Sequence, residues 1–557
     1  MLYRCHCERT KLRDCFVAAL LAMTVSLPAA DAAESSKPPQ FSKFPGLSIH
    51  GENSLAAEMH RTGGAGDKTL LRRGEFLTDI LKLKIDQVLP HGWTSHTDIH
   101  GRKTQDPQID KRRDVHLLGL TSELYNKTTR LTFGDFFGDF SQYTLGQSLE
   151  GFQLAYDTQR FEAKGVAGIS QRADETRAFE RQVYGARAEA LVVEDSKNLK
   201  DARVGFNFVG TQDDKGSVEN KSGVMAAESR VGSLNGHAVL LGKSVFDSEI
   251  AESWTDEDTR DPLIGRNVGT ALRVNNQTQW TKKGKTKLLY EWVTPRFDTL
   301  SGSAVSDRVN FTSRANYKWN PAWVTDAAYR TQYNKLNKST AEKRTYLHVP
   351  SASISWTPSS SDWTFQDFFS RLFWEQRRRL SDDADSGQVD FVSDEIGIED
   401  EFKVKKYNLS SGWTLRHEDD DLQKLNNRLT NEAYIGARIY RKFLGVDAVP
   451  STRWTLIYDA YDKEGGRDLR GRVTVGLDLD FKHGLKLNQR YSLENNRRHA
   501  QDSDSLKFDA DVGLEYQIPR LRGTTLKVSY TTADYAHDMS TQSFSEHNLR
   551  ADLICKF

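Results

Sequence analysis

Residues 506–516 read Leu-Lys-Phe-Asp-Ala-Asp-Val-Gly-Leu-Glu-Tyr, an alternation without a break. Leu506, Phe508, Ala510, Val512, Leu514 and Tyr516 share one face, and Lys507, Asp509, Asp511, Gly513 and Glu515 share the other. Successive side chains of an extended chain point to opposite sides, so this stretch is a strand that is apolar on one face and polar on the other. Val473, Val475, Leu477, Leu479 and Phe481 repeat the pattern, with Arg472, Thr474, Gly476, Asp478 and Asp480 opposite. Leu485, Leu487, Tyr491 and Leu493 continue it, as do Leu526, Val528 and Tyr530.

The connections between such stretches alternate in length. Lys482-His483-Gly484, Pro519 to Gly523, Asn320-Pro321, Thr357 to Asp362 and Gly445 to Pro450 are compact. Between them lie longer polar runs at 334–343, 375–388, 417–429, 462–470, 494–504 and 532–543. A soluble sandwich has no reason to sort its loops by length, whereas a transmembrane β-barrel has short turns at one end and longer loops at the other. The expected fold is therefore all-β: one large antiparallel transmembrane barrel over residues 47–557, with short periplasmic turns and longer extracellular loops.

Composition agrees with this. The 557 residues carry 77 Lys+Arg against 77 Asp+Glu, which argues against a chain built to neutralise nucleic-acid phosphates. No series of runs of about 20 apolar residues is present, which excludes a polytopic helical membrane protein. Aromatics supply an independent line. Trp319, Trp323, Trp356, Trp363, Trp454, Phe481 and Tyr516 all stand beside expected short turns, where amphipathic rings suit the membrane–water boundary. They are the expected girdle.

At the chain's end Leu549, Ala551, Leu553, Cys555 and Phe557 alternate with Arg550, Asp552, Ile554 and Lys556. This resembles the closing strand of bacterial outer-membrane β-barrel proteins, whose terminal aromatic is recognised by the barrel assembly machinery. The resemblance implies a Gram-negative outer membrane, lipopolysaccharide as surroundings, and Phe557 as the assembly signal.

At the other end Arg4, Arg9, Lys11 and Arg13 precede an apolar run from Phe16 to Leu27, and Ala30-Asp31-Ala32 offers small residues for cleavage. That layout reads as a secretory signal peptide over 1–32, followed by a short periplasmic segment over 33–46. Cys5, Cys7 and Cys15 would leave with the signal, so Cys555 alone remains, without a disulfide partner or a Cys-rich zinc site.

Walking back from Phe557 gives about 26 strands, within a range of 22 to 28; an even number suits a barrel with both termini in the periplasm. Strands about 4.8 Å apart and tilted about 40° would close a cylinder on the order of 50 Å across. So wide a hole must be filled or narrowed. The segments 56–74, 136–148 and 247–267 are the candidates for inward folding, the second carrying the run Gly134-Asp135-Phe136-Phe137-Gly138-Asp139.

Polar faces of the last strands make Lys486, Arg490, Lys507, Asp509, Asp511, Glu515, Lys527, Arg550 and Asp552 the lumen-facing candidates. Both signs occur, which suits a wet wall held by cross-strand pairs better than a single-sign filter. Acidic runs at 256–258, 382–385 and 418–421 lack the spacing of a calcium loop, and Arg377-Arg378-Arg379 offers contacts to lipid phosphates. There is no His-Glu-x-x-His, no Gly-x-Ser-x-Gly and no Cys-x-x-Cys-His, so neither catalysis nor a haem or other cofactor of its own is expected. Gly242-Lys243-Ser244 only imitates the end of a phosphate loop, since His237 stands where its first glycine belongs.

In size, strand number and lack of accessory domains, the chain resembles the barrels that sheath multihaem cytochromes in porin–cytochrome conduits. That resemblance implies a lumen-filling partner that carries the redox chemistry. The alternative expectation is a porin or export channel narrowed by its own loops, passing saccharides, other solutes or surface polymer.

Overall fold

The structure is a computed structural model. It describes residues 46–557 apart from 66–72, 108, 111–114, 174–177, 219–223, 264, 335–343, 359–365, 383–389, 421–426, 463–465, 482, 499–502 and 522. The signal segment and Trp363 lie outside the described residues.

The strands are β1 (Leu47–Gly64), β2 (Gly74–Val88), β3 (Thr94–Thr104), β4 (His116–Tyr125), β5 (Thr129–Ser141), β6 (Leu145–Asp157) and β7 (Phe161–Gln171). Next come β8 (Glu180–Asp195), β9 (Leu199–Asp214), β10 (Glu228–Leu240), β11 (Ser244–Asp256), β12 (Asn267–Gln279), β13 (Gly284–Val293) and β14 (Arg308–Lys318). Then follow β15 (Trp323–Asn334), β16 (Thr345–Trp356), β17 (Gln366–Ser381), β18 (Asp390–Val404), β19 (Tyr407–Asp420), β20 (Arg428–Ile439) and β21 (Arg441–Phe443). The last are β22 (Val446–Tyr461), β23 (Arg467–Phe481), β24 (Leu485–Arg498), β25 (Ser503–Gln517), β26 (Thr524–His537) and β27 (Phe544–Lys556). β20 and β21 both pair with β22 and form one barrel strand interrupted at Tyr440, so the barrel has 26.

Every strand pairs antiparallel with its sequence neighbours, and β1 closes on β27 with Leu55 opposite Leu553 and Glu58 opposite Arg550. Closure removes the sheet edge, which is what lets a β structure cross lipid. Alternation decides which face is which. Ile435, Val475 and Leu493 stand exposed on the outside, 64%, 50% and 46% accessible, an apolar band that only a bilayer covers.

Connections sort by end. At the C-terminal end Leu444-Gly445 alone joins β21 to β22, both at positive φ (50° and 82°), the left-handed pair that a two-residue hairpin requires. At the opposite end residues 294–307 form a long connection from β13 to β14. The first is the turn end of the barrel and the second its loop end.

Three sequence expectations need correction. Residues 56–64 continue β1 rather than folding inward, and 247–256 belong to β11. Asn235-Gly236, a pair suited to a hairpin turn, does not make one. The turn is instead made by Leu241 and Gly242, at φ 53° and 63°, while Asn235 stays in β10 and donates to Glu189 across the wall. Trp454 faces outward with its indole N–H on Thr452 Oγ1 at 3.0 Å, but it sits well inside β22, away from the turns.

Candidate functional site

At the loop end only residues 142–144 separate β5 from β6, and this hairpin marks the part of the wall that leaves the cylinder. β4 pairs with β5 only from Thr121–Gly134 down to Tyr125–Arg130, and β6 pairs with β7 only from Glu150–Ile169 down. Beyond those points the β5–β6 hairpin remains paired with itself up to Ser141–Leu145. Gly134, at φ 91°, makes the bend, and a side chain there would strike the Leu120 carbonyl. The Asp135 carboxylate accepts the Leu120 N–H at 2.7 Å, replacing the ladder bond that the bend removes.

The hairpin's inner face folds onto the inner wall. Phe140, Leu145 and Leu149 form a buried cluster with Val166, Val183 and Val209 from β7, β8 and β9. Gly185 accommodates the Phe140 ring. Burying such side chains is worth about 1.5–3 kcal/mol each, an upper estimate that offsets the ladder bonds given up. Arg187 from β8 donates to the Phe140 carbonyl and, at 2.8 Å, to Glu189.

At the tip, Gln142 Nε2 donates to Glu291 Oε1 at 2.6 Å and the Tyr143 hydroxyl donates to the same oxygen at 3.3 Å. Arg308 holds the other Glu291 oxygen at 3.5 Å. Tyr143 is fully buried against Val231, Ala251, Ala271 and Val293, the inner faces of β10 to β13, with the Phe297 ring edge-on at 5.6 Å. Phe297 belongs to a second inward segment, residues 294–307. The Asp298 N–H donates to Ser253 Oγ at 3.1 Å, and its carbonyl accepts a bond from the Thr255 hydroxyl at 3.0 Å. Ser301 then donates to the Thr144 carbonyl at 2.7 Å, and Ser303 N–H to that of Gln142 at 2.9 Å, joining the two segments. The inner wall of β7 to β13 is thereby lined with a second layer. Segment 136–148 is thus inward-folded; 294–307 went unread in sequence, although its small residues Gly302, Ser301 and Ser303 fit the close approach.

Between the hairpin and the wall lies a cavity of about 450 Å³ lined by Arg187, Glu189, His237, Asp247, Glu249 and Arg273. Arg187 pairs with Glu189 and His237 with Asp247 at 2.6 Å. Glu249 and Arg273 stand directly across the β11–β12 ladder without forming an ion pair, and Glu249 Oε1 is buried without a hydrogen-bond partner.

The opposite wall is bare of such cover. Lys486, Arg490, Lys507, Asp509, Asp511, Glu515 and Lys527 lie on the face of β24 to β26 away from Leu487, Leu514 and Val528. Lys527 pairs with Glu515 at 3.1 Å and Lys507 with Asp509 at 3.0 Å; Arg550 bonds Asp552 at 2.7 Å and also Glu58. A shallow recess of about 990 Å³ over β18 to β25 collects Arg438, Arg453, Arg472 and Arg490. Among the described residues no three acidic, His or Cys side chains gather to hold a metal ion.

On the outside, Trp323 and Trp356 stack at 5.6 Å beside Trp319 at the turn end, and Phe481 and Tyr516 close β23 and β25 at the same end. Phe557 follows β27, exchanging backbone bonds with Gly51 at 2.7 and 3.0 Å. At the loop end, Arg260 donates to both carboxylate oxygens of Asp258 at 2.9 Å and lies over the Phe179 ring at 5.5 Å. The guanidinium holds the Asp258 carboxyl well below the usual carboxylate range.

This is a closed antiparallel β-barrel with an apolar outer band, the architecture of a membrane-spanning barrel. No protein-family model matches the chain, and no curated protein matches it. Among solved structures it is similar to OccAB4 of Acinetobacter baumannii (12% identity, 91% of this chain, 98% of that chain, TM-score 0.28). It is also similar to OccK1 (OpdK) of Pseudomonas aeruginosa (12%, 66%, 98%, 0.32) and to the translocation pore of the P pilus usher PapC (10%, 91%, 99%, 0.36). Likeness at this level is too distant to transfer a substrate or an activity.

Proposed function

We propose that the chain is a channel of the outer membrane whose wide lumen is narrowed by its own β5–β6 hairpin and the 294–307 segment, passing hydrophilic solutes rather than catalysing a reaction. The loop end faces outward and the turns face the periplasm. The observation that carries this reading is the docking of Gln142 and Tyr143 on Glu291, far across the inner wall from the point where the hairpin leaves it. A segment that gives up its own ladder bonds to line the lumen is what an unobstructed cylinder of 26 strands needs to remain a barrier. Mixed, mostly paired charge on the bare wall suits water-filled passage without strong ion selectivity.

Planar-bilayer recording of the purified barrel tests this. Stable conductance that rises when residues 137–147 are replaced by a short Gly-Ser turn supports a loop-narrowed channel. An unchanged or absent conductance sinks it.

The second reading is a sheath around an exported multihaem protein. Its support is the recess over β18 to β25, uncovered by either inward segment, where Arg438, Arg453 and Arg490 gather beside Glu401 and Asp509 while Arg472 is held by Glu494. A partner lodged there would present acidic surface. Haem absorbance co-purifying with the barrel in mild detergent favours the sheath.

A further inference from the structure

The inward hairpin leaves the wall split. Above the Thr121–Gly134 pair, β4 pairs among the described residues with β3 alone, from Ile99–Leu120 through His100–Gly119 and Gly101–Leu117 to Arg102–His116. The Leu120 N–H is satisfied by Asp135; the rest of that β4 edge faces the split. Each residue climbs about 2.5 Å along the barrel axis, from a rise of about 3.3 Å and a tilt of about 40°. Residues 116–120 therefore stand roughly 15–25 Å above the turn at Asn126, within the leaflet at the loop end of an apolar band about 25 Å tall. Free strand edges do not face lipid in proteins of this kind unless they line a route.

The sides of the split are apolar. Val115, Leu117 and Leu118 on the β4 side are 73%, 61% and 40% exposed. On the other side, the hairpin has folded its inner face onto the wall, so the face that begins against lipid at Phe133 turns into the lumen at Phe137, which is 62% exposed. One continuous surface thus runs from bilayer to lumen without crossing a closed ladder.

We infer that this split is a lateral portal, through which the apolar chain of a single-chain amphiphile passes between the loop-end leaflet and the lumen, its polar head travelling on the wet side. The inference stands on the broken β4–β5 ladder and does not require the channel reading; a barrel that conducts no ions can still have an open wall.

The test uses the full barrel in proteoliposomes with Cys555→Ser, single cysteines carrying an environment-sensitive fluorophore, and spin-labelled stearate as quencher. Phe137→Cys places the label on the hairpin face within the split, Tyr491→Cys on the lipid face, and Asp509→Cys on the inner wall far from it. Quenching at 137 approaching that at 491, with 509 protected, is the expected result. Quenching at 137 no greater than at 509 overturns the portal. Ser148→Cys, exposed on the same hairpin face, gives the same reading if Phe137→Cys does not assemble.

Discussion

Tyr143 and Glu291 are 148 positions apart in sequence, and the phenol donates to the carboxylate at 3.3 Å inside the lumen. One comes from the tip of a hairpin peeled out of the wall, the other from the wall it lands on. Tyr143→Phe keeps the ring in its apolar nest and removes one bond, with Gln142 still in place. The expected cost is about 1 kcal/mol. Glu291→Leu removes the acceptor for both, leaves the Arg308 guanidinium without this carboxylate, and should cost about 3 kcal/mol or more. Noisier, larger single-channel conductance, greater for Glu291→Leu than for Tyr143→Phe, is the expected signature.

Gly134 is the hinge of the split. Gly134→Val puts a β-branched side chain at φ 91° and onto the Leu120 carbonyl. A penalty of about 1–3 kcal/mol for the backbone alone is expected, with the clash added. The variant should show reduced heat-modifiable folded barrel on a cold gel, while Gly146→Ala, with open space around its Cβ position, should not.

Phe557 and Gly51 exchange both of their backbone bonds, and the ring covers the glycine. Deleting Phe557 removes this contact and, on the outer-membrane resemblance, the assembly signal. Gly51→Val displaces the ring but leaves the terminal aromatic intact. If assembly recognition is the role of Phe557, deletion depletes the outer-membrane fraction much more than Gly51→Val does; equal losses would make the role purely structural.

Asp258 titrates below ordinary carboxylates because Arg260 holds its charged form. A carboxyl lowered in the folded state contributes above its unfolded value and loses that contribution as pH falls through the folded value. The 257–266 loop should therefore resist protease from neutral pH down through the usual carboxylate range and open only in stronger acid. Asp258→Asn should render it cleavable at neutral pH, with the barrel itself intact.

Trp323 and Trp356 stack at 5.6 Å with 17° between planes. Such a pair adds about 0.5–1.5 kcal/mol beyond its buried area. Trp356→Ala should lower the urea midpoint in liposomes, whereas Trp454→Ala, away from the turn-end aromatics, should change it less.

The sequence by itself determined the architecture, since period-two alternation, loops sorted by length and aromatics at the short turns are local signals repeated along the chain. Leu506–Tyr516 needs no distant residue to declare its two faces, and each repetition reinforces the count toward 26. The same locality has a limit: Asn235-Gly236 has the chemistry of a turn, and only Glu189, brought alongside from another strand, shows why it remains extended. Only the tertiary structure decided what the lumen contains. Phe140, Tyr143 and Leu149 carry the pattern of ordinary strand and turn residues, and their burial depends on Val166, Val209 and Phe297, placed beneath or beside them by barrel closure. Alternation specifies a face relative to the strand's own backbone; when a hairpin leaves the wall, which surroundings that face meets is set by residues on other strands, as far as 148 positions away for Tyr143 and Glu291.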